Sequence, residues 1–254
     1  MRIMTLNTWG GRAGKEAQLD FFSRYKDEVE IFCLQEVWAD RYKDYEGHAA
    51  GGVVIDHDMV MTDGLQRISA ALSSHVPYFR PHFLDNYGLL MLVREGLPVI
   101  AEGELFVYKE KGHMPEGDIG MHARNIQYVT IEHEGAPLTV INFHGLWNGK
   151  GKTDTEDRLQ QSKNILSFID SLNGECVLCG DFNLLPETKS LRMFEESGMT
   201  DLIGKYGIAS TRSSFYQKPE KFADYVFLSG GLAEKDFAVL SDEISDHLPL
   251  LLTL

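Results

Sequence analysis

Apolar positions along the chain fall into short runs broken by Gly, Asp, Asn and Pro, the pattern of strands separated by turns. Such runs predict strands at residues 2–7, 30–35, 88–93, 104–108, 125–131, 138–143, 176–179, 224–228 and 250–254. Helical spacing is rarer. Leu159, Ser162, Leu166 and Ile169 share one face of a helix predicted over 155–172, and Leu65, Ile68, Ala71 and Leu72 mark a second. Ala17, Phe21, Tyr25 and Glu28 mark a third, and Pro186 opens a fourth at the first-turn position that tolerates proline. Residues 109–122 contain glycines and a proline with no apolar period, which predicts an exposed loop able to act as a flap.

Strands outnumber helices, and no Pro/Gly/Ser-rich linker divides the 254 residues. The expected architecture is therefore one α/β (α+β) domain over 1–254, with two sheets packed face to face and helices outside them.

Composition adds two constraints. A charged fraction of 24% and an apolar fraction of 43% suit a globular protein rather than a disordered or membrane-spanning one. The net charge of -14 repels nucleic acid at long range, so nucleic-acid binding would need a local basic patch or bound metal ions. Three cysteines are too few for a disulfide framework, and Cys176 and Cys179, three apart in a strand, point to opposite faces as small core residues. With no apolar leader after Met1 and no run near twenty apolar residues, the expectation is a cytoplasmic protein without membrane insertion, monomeric by default.

The chemistry is concentrated where the apolar runs end. Asn7 closes the first strand, Gln35-Glu36 the second, and Asn142-Phe143-His144 another. In Gly180-Asp181-Phe182-Asn183 a glycine permits a tight turn from which a carboxylate and an amide project together, able to hold a water and a phosphate oxygen. Ser245-Asp246-His247 places an acid beside an imidazole before the last strand, and Asp224 enters an apolar strand, which is costly unless it is paired. Residues 205–221 interleave Lys205, Arg212, Lys218 and Lys221 with Tyr206, Phe215 and Tyr216, a composition that can grip a phosphate backbone and stack a base, or equally form a solvated loop with some core aromatics.

Taken in order, Leu6-Asn7-Thr8-Trp9, Leu34-Gln35-Glu36, Asn142-Phe143-His144, Gly180-Asp181-Phe182-Asn183, Ala223-Asp224-Tyr225 and Ser245-Asp246-His247 resemble the motifs of the endonuclease/exonuclease/phosphatase family from end to end. The resemblance implies a four-layer sandwich and a Mg²⁺-dependent hydrolase of phosphate esters, with Mn²⁺ able to substitute. It implies Glu36 as principal metal ligand, assisted by Asn7 and Asp246. Asp181 would position or deprotonate the attacking water and Asn183 would orient it; His247, held by Asp224, would bind a phosphate oxygen, with His144 and Arg124 on the others. Arg212, Lys218, Lys221, Trp147 and Tyr87 are the candidate substrate contacts. Abasic-site endonucleases usually carry a tyrosine where this chain has His144, so that branch ranks low. A phosphodiesterase acting on nucleic acid is the leading expectation. A phosphatase or phosphodiesterase for a small molecule or lipid headgroup is the alternative, and a non-catalytic binding module the third.

Overall fold

In the computed structural model, which describes residues 1–254, the strands are β1 (Arg2–Asn7), β2 (Ile31–Trp38), β3 (Ala49–Ala50), β4 (Val53–Val54), β5 (His75–Phe83), β6 (Tyr87–Arg94), β7 (Val99–Tyr108), β8 (Arg124–His133), β9 (Ala136–His144), β10 (Glu175–Asp181), β11 (Thr200–Asp201), β12 (Asp224–Leu228), β13 (Asp236–Val239) and β14 (Leu250–Thr253). The helices are α1 (Lys15–Tyr25), α2 (Gly64–Ala71), α3 (Glu156–Asp170), α4 (Lys189–Glu196) and α5 (Leu202–Lys205). Two six-stranded sheets run β13-β14-β1-β2-β6-β5 and β11-β12-β10-β9-β8-β7, and β3 and β4 form a small hairpin. Each large sheet is mixed: β1 and β2 pair in parallel, as do β9 and β10, while the other neighbours are antiparallel.

Alternation along the central strands creates four layers. Ile3, Ile31, Cys33 and Met91 face the second sheet and meet Val140, Cys179 and Val226 in the largest core cluster. Met4, Leu6, Phe32 and Leu34, one residue out of phase, face the other way and pack with Phe21 and Phe22 of α1 and Ile68 of α2. On the far side Ile165 of α3 and Leu191 and Phe194 of α4 cover the second sheet. The four-layer sandwich expected from the sequence is the one observed, and no helix is long and apolar enough to cross a membrane.

Between the sheets the apolar core gives way to amides toward one end. Gln35 Nε2 donates to Asn142 Oδ1 at 2.7 Å and to Thr5 Oγ1 at 3.0 Å, and Asn142 Nδ2 donates to the Leu34 carbonyl. All three side chains are buried, so the bonds satisfy groups that would otherwise be stranded in the core.

Some local expectations change. The predicted strands are present, but β5, β13 and the two-residue β3, β4 and β11 are additional. Pro77 and Pro81 obscure β5 in the sequence, and the fold tolerates them because β5 is an edge strand with no neighbour needing its outer N–H groups. Pro186 does not start a helix: it lies in a turn, and α4 begins at Lys189 after Thr188. The third predicted helix ends at Tyr25, short of Glu28. The loop at 109–122 is exposed only in its first part; Ile119, Gly120 and His122 are buried beneath the β3–β4 hairpin, where the Asp118 carboxylate accepts from Gly51 N at 2.8 Å.

Candidate active site

The polar strand ends gather at one end of the sandwich because β1, β2, β9, β10 and β12 terminate or begin there side by side. Asn7 pairs in register with Gln35, and Asp181 with both His144 and Asp224. Two backbone irregularities set the directions of the acids. By simple alternation Glu36 would follow Phe32 and Leu34 toward the helices. Instead the β2–β6 register shifts between Leu34 and Val37, and Glu36 takes φ +58°, so the bulge turns its carboxylate into the site. On the second sheet, an ideal Cβ on Gly180 would stand 2.0 Å from the Phe143 carbonyl, so only glycine lets β9 and β10 approach closely enough before Asp181.

Asp181 is the hub. Its Oδ1 accepts from Asn183 N at 2.8 Å, closing a turn that holds Asn183 at φ +54°, and its Oδ2 accepts from Asn7 Nδ2 at 2.9 Å. The other Asn7 amide hydrogen reaches Glu36 Oε1 at 3.0 Å, so Asn7 bridges the two acids while its own Oδ1 accepts from Trp9 N. His247 Nδ1 donates to Asp224, with contacts of 2.8 and 2.9 Å, and Thr211 Oγ1 fixes the same carboxylate at 2.8 Å. The Nε2 atoms of His144 and His247 lie 3.7 and 3.6 Å from Asp181 Oδ2.

Burial works against charge on Asp181, yet His247, His144 and Arg212 hold its carboxyl well below the usual carboxylate range. Burial and Arg212 oppose protonation of His247, but Asp224, Asp246 and Asp181 together raise its pKa. Burial raises the pKa of Glu36 against the pull of the Asn7 bond, and Asp246 and Asp181 add to the rise.

Glu36, Tyr87, Arg124, His144, Trp147, Asp181, Asn183, Arg212, Lys218, Asp246 and His247 line one cavity of about 400 Å³. Asn7 and Asp224 stand behind its wall, holding carboxylates and imidazole. Lys221 is exposed outside it, and Lys205 pairs with Glu234 elsewhere, so residues 205–221 do not form one basic stripe. Arg124 spends its guanidinium on the Gly145 and Gly120 carbonyls and His122, tying together the loops of the wall. Lys152, Tyr216 and His122 also line the cavity; Lys152 and His122 carried no signal in the sequence beyond their type.

A cluster of buried neutral histidines underlies the same wall. His82 and His122 stack with ring centroids 4.9 Å apart, and His144 lies 5.7 Å from His82. Burial, reinforced by Arg124, lowers all three pKa values, that of His144 to about 3. Their folded pKa values lie below the unfolded value, so the stability they contribute is present above about pH 6.5 and is lost as acid protonates the unfolded chain first. Three such groups add a slope of roughly 4 kcal/mol per pH unit once the unfolded imidazoles are charged. Chemical denaturation at pH 7, 6 and 5 is expected to show this steep loss, and a pH-independent stability over that range would refute the neutral assignment.

The arrangement suits a divalent cation of the hard, oxygen-preferring kind. Glu36 and Asp246 bring carboxylates to the cavity, and Asp246 Oδ1 is buried with no hydrogen-bond partner. Asp181, Asp224 and His247 also lie close enough to share an ion, within 4.8 Å of one another. Both oxygens of Asp224 and of Asp181 are already engaged, by His247 and Thr211 and by Asn7 and Asn183, whereas Glu36 and Asp246 each have one oxygen engaged and one left, so their side fits better.

Two face-to-face mixed sheets carrying this cluster at one end define an α/β sandwich of the deoxyribonuclease-like type. The chain belongs to the Endonuclease/Exonuclease/phosphatase family, whose model matches residues 4–247. No curated protein sequence matches it. Among solved structures it is similar to a mannosyl-6-phosphatase of Bacteroides thetaiotaomicron VPI-5482, at 17% identity and a TM-score of 0.73 over 99% of this chain and 98% of that one. A family protein from Leptotrichia buccalis C-1013-b is 19% identical, with a TM-score of 0.72 over 100% and 99% of the two chains. D. rerio TDP2 complexed with a single-strand DNA product is 14% identical, with a TM-score of 0.66 over 99% and 97%.

Proposed function

We propose that the chain is a divalent-metal-dependent hydrolase in which a water attacks phosphorus in line with the departing ester oxygen. The observation that carries this reading is the convergence on one cavity of an ionised carboxylate, Asp181, an Asp-held imidazole, His247, and two acids, Glu36 and Asp246, of which Asp246 keeps Oδ1 without a partner. Mg²⁺, or Mn²⁺ in its place, held by Glu36 and Asp246, would supply charge stabilisation at the phosphoryl oxygens.

The residues of the chain do the rest. A carboxylate held far below the usual range is a poor proton acceptor near neutral pH, so Asp181 acts chiefly by aiming a lone pair of water at phosphorus. Asn183, fixed by its bond to Asp181, orients the same water. His247 presents a positively charged Nε2 to a phosphoryl oxygen while Asp224 holds the ring, a preorganised donor where negative charge develops. Asn7 keeps Glu36 and Asp181 at a fixed separation.

The cavity favours a compact ester or a chain end over intact duplex. About 400 Å³ holds a small ligand, and Gly51–Val53 with Trp147 and Phe215–Lys218 are among the residues that line it. The basic segment that suggested a nucleic-acid track is divided, with only Arg212 and Lys218 of its cations facing the cavity.

Hydrolysis of p-nitrophenyl phosphate and of methyl p-nitrophenyl phosphate in Mg²⁺ and ¹⁸O-labelled water tests the reading. The label is expected in the phosphate product. Label in the nitrophenol, or no hydrolysis of any ester in a panel extended to single-stranded DNA, inositol phosphates and sphingomyelin, would exclude water attack at phosphorus.

A further inference from the structure

Lys152 is a buried cation without a counter-charge. It is 8% exposed, its Nζ donates to the Phe222 carbonyl at 3.1 Å, and no carboxylate oxygen lies within ion-pairing distance. One neutral acceptor for an ammonium with three N–H groups is a poor exchange for water, because a buried charge is costly unless it is paired. The chain nevertheless builds this position firmly. The Lys152 carbonyl accepts from Leu185 N at 2.9 Å, next to the Asp181–Asn183 turn. On either side, Arg158 Nη1 donates to the Gly151 and Thr153 carbonyls at 2.8 and 2.5 Å, and Arg158 is itself 1% exposed. The loop is therefore fixed at both residues flanking Lys152, and its stem is held along the cavity wall.

A second cation stands beside it. Arg212 Cζ lies 4.1 Å and Lys152 Nζ 5.2 Å from the centroid of the Tyr216 ring, so one aromatic side chain supports both. Arg212 Nη1 donates to Asp246 Oδ2 at 3.0 Å and stands 2.5 Å from His247 Nε2, while its Nε has no partner. Arg212 and His247 both line the cavity, so the guanidinium can turn its remaining N–H groups to an external acceptor there. Burial and the neighbouring Arg212 lower the Lys152 pKa to about 8, while the more distant Asp181 and Asp224 partly offset them, so the ammonium form still prevails at pH 7.

These donors outnumber what a diester offers. A diester phosphoryl group carries one negative charge and two free oxygens; a monoester carries close to two charges at neutral pH and three free oxygens. His247 and Arg212 can serve a group of the first kind. We propose that Lys152 receives the third free oxygen and second negative charge of a phosphate monoester, which makes this site a phosphomonoesterase of compact substrates. The assignment rests on the reading of the cavity as a phosphoester-hydrolysing site, and it makes Lys152 a specificity residue for the charge state of phosphorus. The oxygen it holds is neither the attacking nor the departing one, so bond making and breaking proceed as for any ester and no proton needs to leave the lysine.

The decisive comparison uses p-nitrophenyl phosphate and methyl p-nitrophenyl phosphate, which share a leaving group and differ by one capped oxygen. In Lys152→Met, kcat/KM for the monoester is expected to fall about 10- to 100-fold, the factor one charge-assisted hydrogen bond supplies, with at most a few-fold loss on the diester. Lys152→Arg, which restores the charge, should recover part of the monoester activity. Calorimetric binding of inorganic phosphate, which needs no turnover, should weaken by a similar factor in Lys152→Met. Equal losses on both esters, as expected if Lys152 only supports Phe222, unchanged phosphate binding, or a wild-type enzyme that cleaves the diester and ignores the monoester would each overturn the proposal. His247→Ala separates the two layers: it should lose both esters, and its failure to do so would refute the hydrolase reading whatever Lys152 does.

Discussion

Dialysis against EDTA is expected to reduce turnover to background, and added Mg²⁺ or Mn²⁺ to restore it. The reason is the sparse ligation available. Glu36 and Asp246 are the acids left with capacity at the cavity, Asp246 Oδ1 having no partner, while Asn7 directs its amide hydrogens to Glu36 and Asp181 and its carbonyl oxygen to Trp9 N. Few protein ligands imply an ion that exchanges readily and keeps several waters. Burial and the neighbouring carboxylates make the ionised Glu36 unfavourable without a cation, so metal affinity and the charge on Glu36 are linked. Glu36→Gln should accordingly weaken metal binding, with part of its defect recovered at raised Mg²⁺. Full turnover in rigorously metal-free buffer would sink the metal-dependent reading.

Asp181→Asn and His247→Ala should each lower kcat by at least about 100-fold with the fold retained, the usual size of effect when a water-orienting or charge-stabilising group is removed. The asparagine is nearly isosteric and its oxygen can still accept from Asn183 N, so a structural collapse is not expected from the first change. What it loses is the acceptor for Asn7 Nδ2 and the negative charge facing His144 and His247 at 3.7 and 3.6 Å. The second change leaves Asp224 buried with Thr211 as its side-chain partner and removes the cationic donor from the phosphoryl group. Circular dichroism and thermal melting would verify folding. A properly folded Asp181→Asn protein with near-normal turnover would show that the water is aimed by another group.

The core strands were legible because both periods were clean: Met4 and Leu6 against Ile3, and Phe32 and Leu34 against Ile31 and Cys33, report two buried faces directly. The acids at their ends were legible as residues, since a polar group closing an apolar strand has few bland uses. Their directions were not. Strict alternation sends Glu36 to the wrong layer, and only the bulge at φ +58° corrects it. Arg124 read as a phosphate ligand because its charge is visible and its partners, two backbone carbonyls and His122, are not. Lys152 could not be found at all. Beside Gly149, Lys150 and Gly151 it has the composition of a solvated loop, and its burial follows from Arg158 and Leu185, which reach it from other elements. The basic stretch at 205–221 is divided for the converse reason: Arg212 and Lys218 line the cavity, but Lys205 pairs with Glu234 and Lys221 stays outside it.

The hydrogen bond between the Gln35 and Asn142 amides joins strands of opposite sheets, and so does the Asn7–Asp181 hydrogen bond, while His247, just before β14, reaches Asp224 on β12. The candidate site thus straddles the plane along which two rigid slabs could slide. A displacement too small to expose any core side chain would still part Glu36 from Asp181, so these buried amides act as shear pins. Under the proposed function, turnover would gauge slab alignment, and it should fade under pressure or mild denaturant before any spectroscopic sign of melting.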